Sequence, residues 1–239
     1  MANQLLARYG VLTRESVAQE NLPGGFSAVY DVLKAMEESG RVRRGYFVAG
    51  LGATQFALPS AVDLLRSLRQ QERLEKPEMV LLAATDPANP YGATLRWPAA
   101  ESASSEAPDS DGQPRSLTRS VGASVVLRNG EMVAYLRRGN PHLQVFLPAE
   151  EPERSQAGRD LSQFLVQITQ DELRQREGDR GAGLLIGQIN GQQVGAHFLA
   201  RFLLDAGFHA APNGFNVRRV SIPTLGREGT EPPASIEVQ

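Results

Sequence analysis

Cysteine is absent from the 239 residues. That excludes a disulfide framework and any thiolate metal site, and nothing suggests secretion. Histidine is scarce. His142, His197 and His209 are the only examples, and no pair has the spacing of about three to five residues that zinc sites use. No apolar run reaches the ~18 residues that would mark a membrane span. The opening MANQLLARYG lacks the basic-then-apolar order of a signal peptide, so cytoplasmic residence is expected. Neither sign of charge dominates, since Lys and Arg number 25 against 27 Asp and Glu. Any nucleic-acid contact must therefore come from a local patch. No G-x-x-x-x-G-K-[ST] run and no G-x-S-x-G elbow occurs, which leaves no recognisable nucleotide-driven motor and no serine-hydrolase site. No cofactor is implied.

What is present is an ordinary globular composition. Hydrophobic residues make up 41%, enough for one large or two small cores. The spacing predicts a short helix over 3–10 with Leu5, Leu6 and Tyr9 on one side. A second helix comes next, N-capped by Thr13 and running to about Asn21. Pro23-Gly24-Gly25 makes a turn. Ser27 is placed to cap a third helix whose Val29, Val32, Leu33 and Met36 form an apolar stripe, with Gly40 as its stop. Arg41–Ala49 is rich in β-formers, Gly50-Leu51-Gly52 turns, and 54–58 returns. Three helices and a hairpin in that order predict a winged helix. A linking helix is next, with Ser60 and Asp63 at capping-box spacing and Ala61, Leu64, Leu65 and Leu68 on one face. The first unit is drawn as 1–76.

Residues 77–220 read as a second unit. MVLLAA at 79–84 predicts a buried strand. Residues 99–118, rich in Ser, Ala, Pro and acids, read as a disordered acidic loop. Strands over 121–127 and 131–137 meet at Asn129-Gly130, a strong hairpin signal. A strand over 144–147, a helix over 159–176, a strand over 183–189, a helix over 194–206 stopped by Gly207, and a closing hairpin over 208–219 complete it. That order predicts an α+β chain, an N-terminal winged helix followed by a small mixed α/β barrel-like module. The Pro-, Gly- and Glu-rich tail, 221–239, reads as frayed.

Few residues invite chemistry. In a DNA-reading winged helix, the third helix would present Ser27, Tyr30 and Lys34, and Asp31 beside them, to the major groove. Arg41, Arg43 and Arg44 at the wing would meet phosphates. Against this, Asp31, Glu37 and Glu38 share the helix, and many winged helices serve protein–protein contacts. Both readings stay open. Asp86 in ATDPANPYG could be a carboxylate base, but Asx-Pro more simply initiates a turn. Trp97 beside Pro98 reads as a plug in a surface seam. Arg218, Arg219 and Arg227 form a small basic tail.

The segments RYGVLTRE, VLKAMEESGRVRRGYFV and QFALPSAVDLLR resemble the C-terminal region of the Lhr, or large helicase-related, family of bacteria. LLAATDPANPYGATLRWP resembles the family's stretch just after its last winged helix, and INGQQVGAHFLARFLLDAGFHAAPNGFNVRR resembles the family's end. The likeness covers most of 1–220. It implies a parent protein with an ATP-dependent 3′-to-5′ DNA helicase motor upstream, outside this chain. The partners implied are single-stranded or tailed DNA, upstream helicase and winged-helix domains, and a homo-oligomer. It also implies an organisation like the AlkZ-type DNA glycosylases, with uracil-DNA glycosylase activity in some members. The catalytic Gln-apolar-Gln or Gln-apolar-Asp of those enzymes is not matched. Gln55-Phe56-Ala57 departs at its third position, and Gln192-Gln193 lacks the spacer. Asp86 and Glu237 are the only carboxylates to name for such a site, so no catalytic residue is assigned.

Overall fold

The computed structural model describes residues 1–52, 54–70, 77–99, 117–175 and 183–217. The acidic stretch 100–116, the tail from 218 onward with Arg218, Arg219, Arg227 and Glu237, and the Leu173 side chain lie outside the described residues.

The chain opens with α1 (Ala2–Tyr9), β1 (Val11–Leu12) and α2 (Arg14–Gln19). Thr13 caps α2 reciprocally. Its hydroxyl accepts the Ser16 N–H at 3.2 Å, and the Ser16 hydroxyl accepts the Thr13 N–H at 2.9 Å, so two otherwise orphaned donors are satisfied. The third helix, α3, spans Ser27–Glu38. Ser27 does not cap it. Phe26 occupies the cap position in helical geometry, and no side chain bonds the end. The chain enters α3 already coiled from the glycine turn, and the Phe26 ring packs against Tyr30 and Phe56. The stop at Gly40 is a Schellman motif. Gly40, at φ +73°, donates to the Glu37 carbonyl, and Arg41 donates to the Met36 carbonyl, a conformation that favours glycine.

β2 (Arg43–Gly45) and β3 (Gln55–Ala57) form the wing and join β1 in the order β1-β3-β2, all antiparallel. Leu5, Leu6, Leu12, Val17, Val29, Leu33, Val42 and Phe56 make the core beneath them. Val32 is 52% exposed, so the stripe expected on α3 is narrower than drawn. α4 (Pro59–Gln70) starts on its proline, with Ser60 inside the first turn rather than capping it. Its Leu64, Leu65 and Leu68 are exposed, and among its described side chains only Val62 is buried. The helix meets the core only at its start, where Ala61 lies against Gly10.

The second part is built on an open sheet. β4 (Met79–Ala83), β5 (Ala123–Arg128), β6 (Glu131–Arg137), β7 (His142–Val145), α5 (Glu153–Gln175), β8 (Leu184–Ile186), β9 (Gln188–Ile189) and β10 (Gln192–Gln193) come in turn. A 3₁₀ turn (Val194–Ala196), α6 (Ala200–Ala206), β11 (His209–Ala211) and β12 (Gly214–Val217) complete the order. Six strands run β10-β9-β7-β6-β5-β4, parallel only between β7 and β9. A second sheet runs β11-β12-β8. β4 and β10 are free edges of the larger sheet, so it is open and not a closed barrel. β4 is therefore half-buried at an edge, not fully buried as expected. One face packs Val126, Leu143 and Val145 against Leu161 and Leu165 of α5 and Leu199 and Leu203 beside and within α6. The other packs Val125, Met132 and Tyr135 under Trp97, Tyr91 and Leu117. The Asn129-Gly130 turn joins β5 to β6 with both residues at positive φ, as a two-residue hairpin demands.

Two further expectations gave way in this half. The strand over 183–189 breaks at Gly187, with β8 and β9 in different sheets. The helix over 194–206 is a 3₁₀ turn, an extended His197 at ψ 147°, and the short α6.

Candidate nucleic-acid interface

The α3 helix and the wing present the candidate residues in distinct ways. Ser27, Asp31, Val32, Lys34 and Glu38 lie on the solvent face of α3, opposite buried Val29 and Leu33. Tyr30 stands apart. Its ring centroid lies 6.1 Å from Phe26 and 6.0 Å from Phe56, so the ring fixes the seat of α3 on the core. Buried Val42 anchors the chain between α3 and β2, and Arg41 and Arg43 on either side of it turn out to solvent. Arg44 behaves differently, because its Nε lies 3.2 Å from the Glu37 carboxylate.

That pairing changes the electrostatics the sequence suggested. Residues 1–50 carry nearly balanced charge, yet three of their five acids, Glu15, Glu20 and Glu37, are engaged. Glu37 meets Arg44. Glu20 accepts the Tyr9 hydroxyl at 2.7 Å and the Arg8 guanidinium, and those bonds, Tyr9 first, hold its carboxyl below the usual carboxylate range. Glu15 is turned to the wing, where its Oε1 accepts the Gly52 N–H at 3.3 Å. Partial burial pushes the Glu15 carboxyl up, but hydrogen bonds from its own N–H, the Thr13 hydroxyl and the Gly52 N–H outweigh that and lower it. What remains outward is Arg14, Lys34, Arg41 and Arg43 against Asp31 and Glu38. Among the described residues, no ion pair engages Lys34, Arg41 or Arg43. The local balance is cationic although the chain is not.

The wing itself is shaped by Gln55, which is fully buried. Its Oε1 accepts the N–H groups of Phe47 and Val48, each at 2.8 Å, and its Nε2 donates to the Val48 and Gly52 carbonyls at 2.9 and 3.1 Å. A single amide thus satisfies four backbone groups of the loop, which explains why β2 stops at Gly45 instead of running to Ala49. It also leaves the Gln55 amide no capacity for substrate chemistry. Sequence reading missed this role. The only signal was a glutamine beginning an otherwise apolar return strand.

The other singled-out residues are structural in place. The Asp86 carboxylate accepts the Ala88 N–H at 2.8 Å and tightens its turn. Arg119 clasps the same loop, donating to the Asp86, Asn89 and Tyr91 carbonyls. Trp97 covers Gly92 and meets Tyr135 edge-on at 5.8 Å. Gln192 and Gln193 are exposed on β10. No group of three or more His, Cys, Asp or Glu that could hold a metal occurs among the described residues. No helix among them is long and apolar enough to cross a membrane.

The geometry defines the class: an α+β chain that begins with a winged helix. Its relatives make it specific. Residues 1–77 match the family model described as the large helicase-related protein, winged-helix domain. The chain is 38% identical over 226 residues to the Lhr helicase/probable uracil glycosylase of Mycolicibacterium smegmatis, covering 91% of this chain and 14% of that protein. It is 33% identical over 219 residues to the Lhr helicase/uracil glycosylase of Escherichia coli K12, covering 90% and 13%. The chain belongs to the Lhr family and matches its C-terminal region. It spans about one seventh of the length of these relatives.

Proposed function

We propose that this chain is the DNA-associated and assembly module of an Lhr-type ATP-dependent 3′-to-5′ DNA helicase acting in DNA repair in the cytoplasm, with the motor outside the chain. Its work is positioning rather than bond-breaking. Arg41, Arg43 and Lys34, with Arg14 beside them, hold phosphates. Ser27 lies at the α3 end facing the groove, Tyr30 seats α3, and Arg44 braces the wing through Glu37. The single observation that carries this reading is the set of cations, Lys34, Arg41 and Arg43 with Arg14, that outnumbers outward Asp31 and Glu38 once Glu15, Glu20 and Glu37 are engaged internally. Upstream helicase and winged-helix domains are the partners in the same parent protein, and a homo-oligomer is the assembly expected. The exposed Leu64, Leu65 and Leu68 of α4 supply apolar surface for such docking.

A second reading, that the chain contributes to a uracil-DNA glycosylase site completed by upstream winged helices, draws on the names of both relatives. It predicts no uracil excision by this chain alone and excision by a longer piece. A third, a protein–protein module without DNA affinity, draws on the acids of α3. The test is fluorescence anisotropy of a 3′-tailed duplex at low and moderate salt. The proposal expects affinity that falls steeply with salt and is lost on combining Arg41→Ala, Arg43→Ala and Arg44→Ala. No binding at tens of micromolar in low salt would leave only the assembly role.

A further inference from the structure

Tyr46 has no part in the phosphate contacts above, yet the wing is built to display it. It is 62% exposed at the exit of β2. Its neighbours explain why it faces outward. The Phe47 ring lies over Gly45, where a Cβ would sit 3.0 Å from Phe47 Cζ. Phe47 thus folds inward over the one residue without a side chain, and Tyr46 is left on the outer side. The phenol oxygen then accepts the Gly50 N–H at 3.1 Å, which ties the edge of the ring to the wing tip. Gln55 fixes the loop beneath through both Phe47 and Val48. Among the described residues no other ring or cation packs on Tyr46.

A lone exposed aromatic is unremarkable on most surfaces. This one is held at its hydroxyl, so its ring is oriented at little further entropic cost on binding. In the chain it comes just after Arg41 and Arg43, which are exposed and make no ion pair among the described residues. A displayed π-face and unpaired cations on the same wing are together the recognition chemistry of an unpaired nucleotide, with the base on the ring and a phosphate along the strand on an arginine. A base inside a duplex has both faces covered by its neighbours and cannot use such a platform.

We propose that Tyr46 is a stacking platform for an unpaired base, so that the wing reads the single-stranded side of a single-strand/duplex junction. The inference rests on the DNA-contact reading above and adds a nucleotide class and a residue to it.

The test compares blunt duplex, 3′-tailed duplex and a dT oligonucleotide with the full chain, its Tyr46→Ala, Tyr46→Phe and Tyr46→Trp variants, and the triple arginine variant. Tyr46→Ala should weaken the tailed and single-stranded DNA by about tenfold and blunt duplex by less than about twofold. Tyr46→Phe and Tyr46→Trp should retain most of the affinity, because each keeps a ring face, with a loss of less than about threefold from the missing hydroxyl tether. Emission of the Tyr46→Trp protein should change on adding dT oligonucleotide, beyond any change of the parent chain, whose sole tryptophan is Trp97. Equal losses on blunt and tailed DNA would overturn the platform, as would full affinity of Tyr46→Ala where the arginine variant has lost it. If the parent chain binds none of the three DNAs, the DNA-contact reading itself fails and takes the platform with it. An unchanged melting temperature for Tyr46→Ala, expected of an exposed ring, keeps a folding defect from imitating the result.

Discussion

Replacing Gln55 with leucine removes the amide that organises the wing while nearly preserving volume, so no cavity term enters. The loss is of four hydrogen bonds to backbone groups of Phe47, Val48 and Gly52. At a net value of about 1 kcal/mol each, with some groups re-solvated as the loop opens, the cost is about 3 kcal/mol. In a winged helix of this size that corresponds to a fall in melting temperature of more than about 10 °C. The damage should be local first, so amide exchange over 46–54 should accelerate before the α1–α3 core responds. Gln55→Glu is the sharper companion. It keeps the acceptor for Phe47 and Val48 but turns a second oxygen toward the Val48 and Gly52 carbonyls. Its folded-state pKa is therefore raised. The penalty should be present near neutrality and relieved as pH falls through that value, where the protonated carboxyl can donate again. Chemical denaturation of Gln55→Leu giving an unfolding free energy within about 0.5 kcal/mol of the parent chain would refute the reasoning.

Three further outcomes are expected from the same structure. Gly92→Ala puts a Cβ 2.3 Å from the Trp97 indole at φ +71°, and should cost about 2–4 kcal/mol with an altered Trp97 emission; unchanged emission and stability would contradict the packing. Asp160→Asn weakens the pair it makes with Arg128, whose Nε and Nη2 both lie 2.9 Å from Asp160 Oδ2 and link β5 to α5. The two groups are about one-fifth exposed, so a loss of about 1 kcal/mol is expected by urea titration. Glu20 binds its proton less readily folded than unfolded, so it adds stability near neutrality that fades as pH falls through its lowered pKa. Glu20→Gln should flatten the acid limb of a stability–pH profile, and an unaltered limb would show that the Tyr9 and Arg8 contacts carry nothing.

How much was legible in the sequence depended on whether the governing contact was local. Thr13, Gly40, Asn129-Gly130 and Gly207 each mark a boundary through their own backbone needs, and each sits where its residue type says. Ser27 is equally local in kind, yet the cap went to Phe26, because a ring anchored on Phe56 overrode a hydroxyl. The break at Gly187 was hidden because it depends on another chain segment. A Cβ there would come within 3.0 Å of the Asn213 carbonyl, a contact distant along the chain that no periodicity reveals. The α4 leucines kept helical spacing, but spacing alone does not say that the core ends after the first turn. In the interface, the solvent-facing arginines are explained by alternation around Val42. The neutralising partners of the acids, Arg44 for Glu37 and the Gly52 backbone for Glu15, are tertiary, so net charge alone understated the cationic face.

The central claim is that DNA lies on α3 and the wing, and amide exchange footprinting of the full chain with and without a 3′-tailed duplex tests it most directly. The account predicts protection confined to the start of α2 at Arg14, to α3 and to the segment from Arg41 to Gly52, with the two sheets built from β4 to β12 unchanged. Protection centred on those sheets, or none at DNA concentrations that saturate the anisotropy signal, would contradict it.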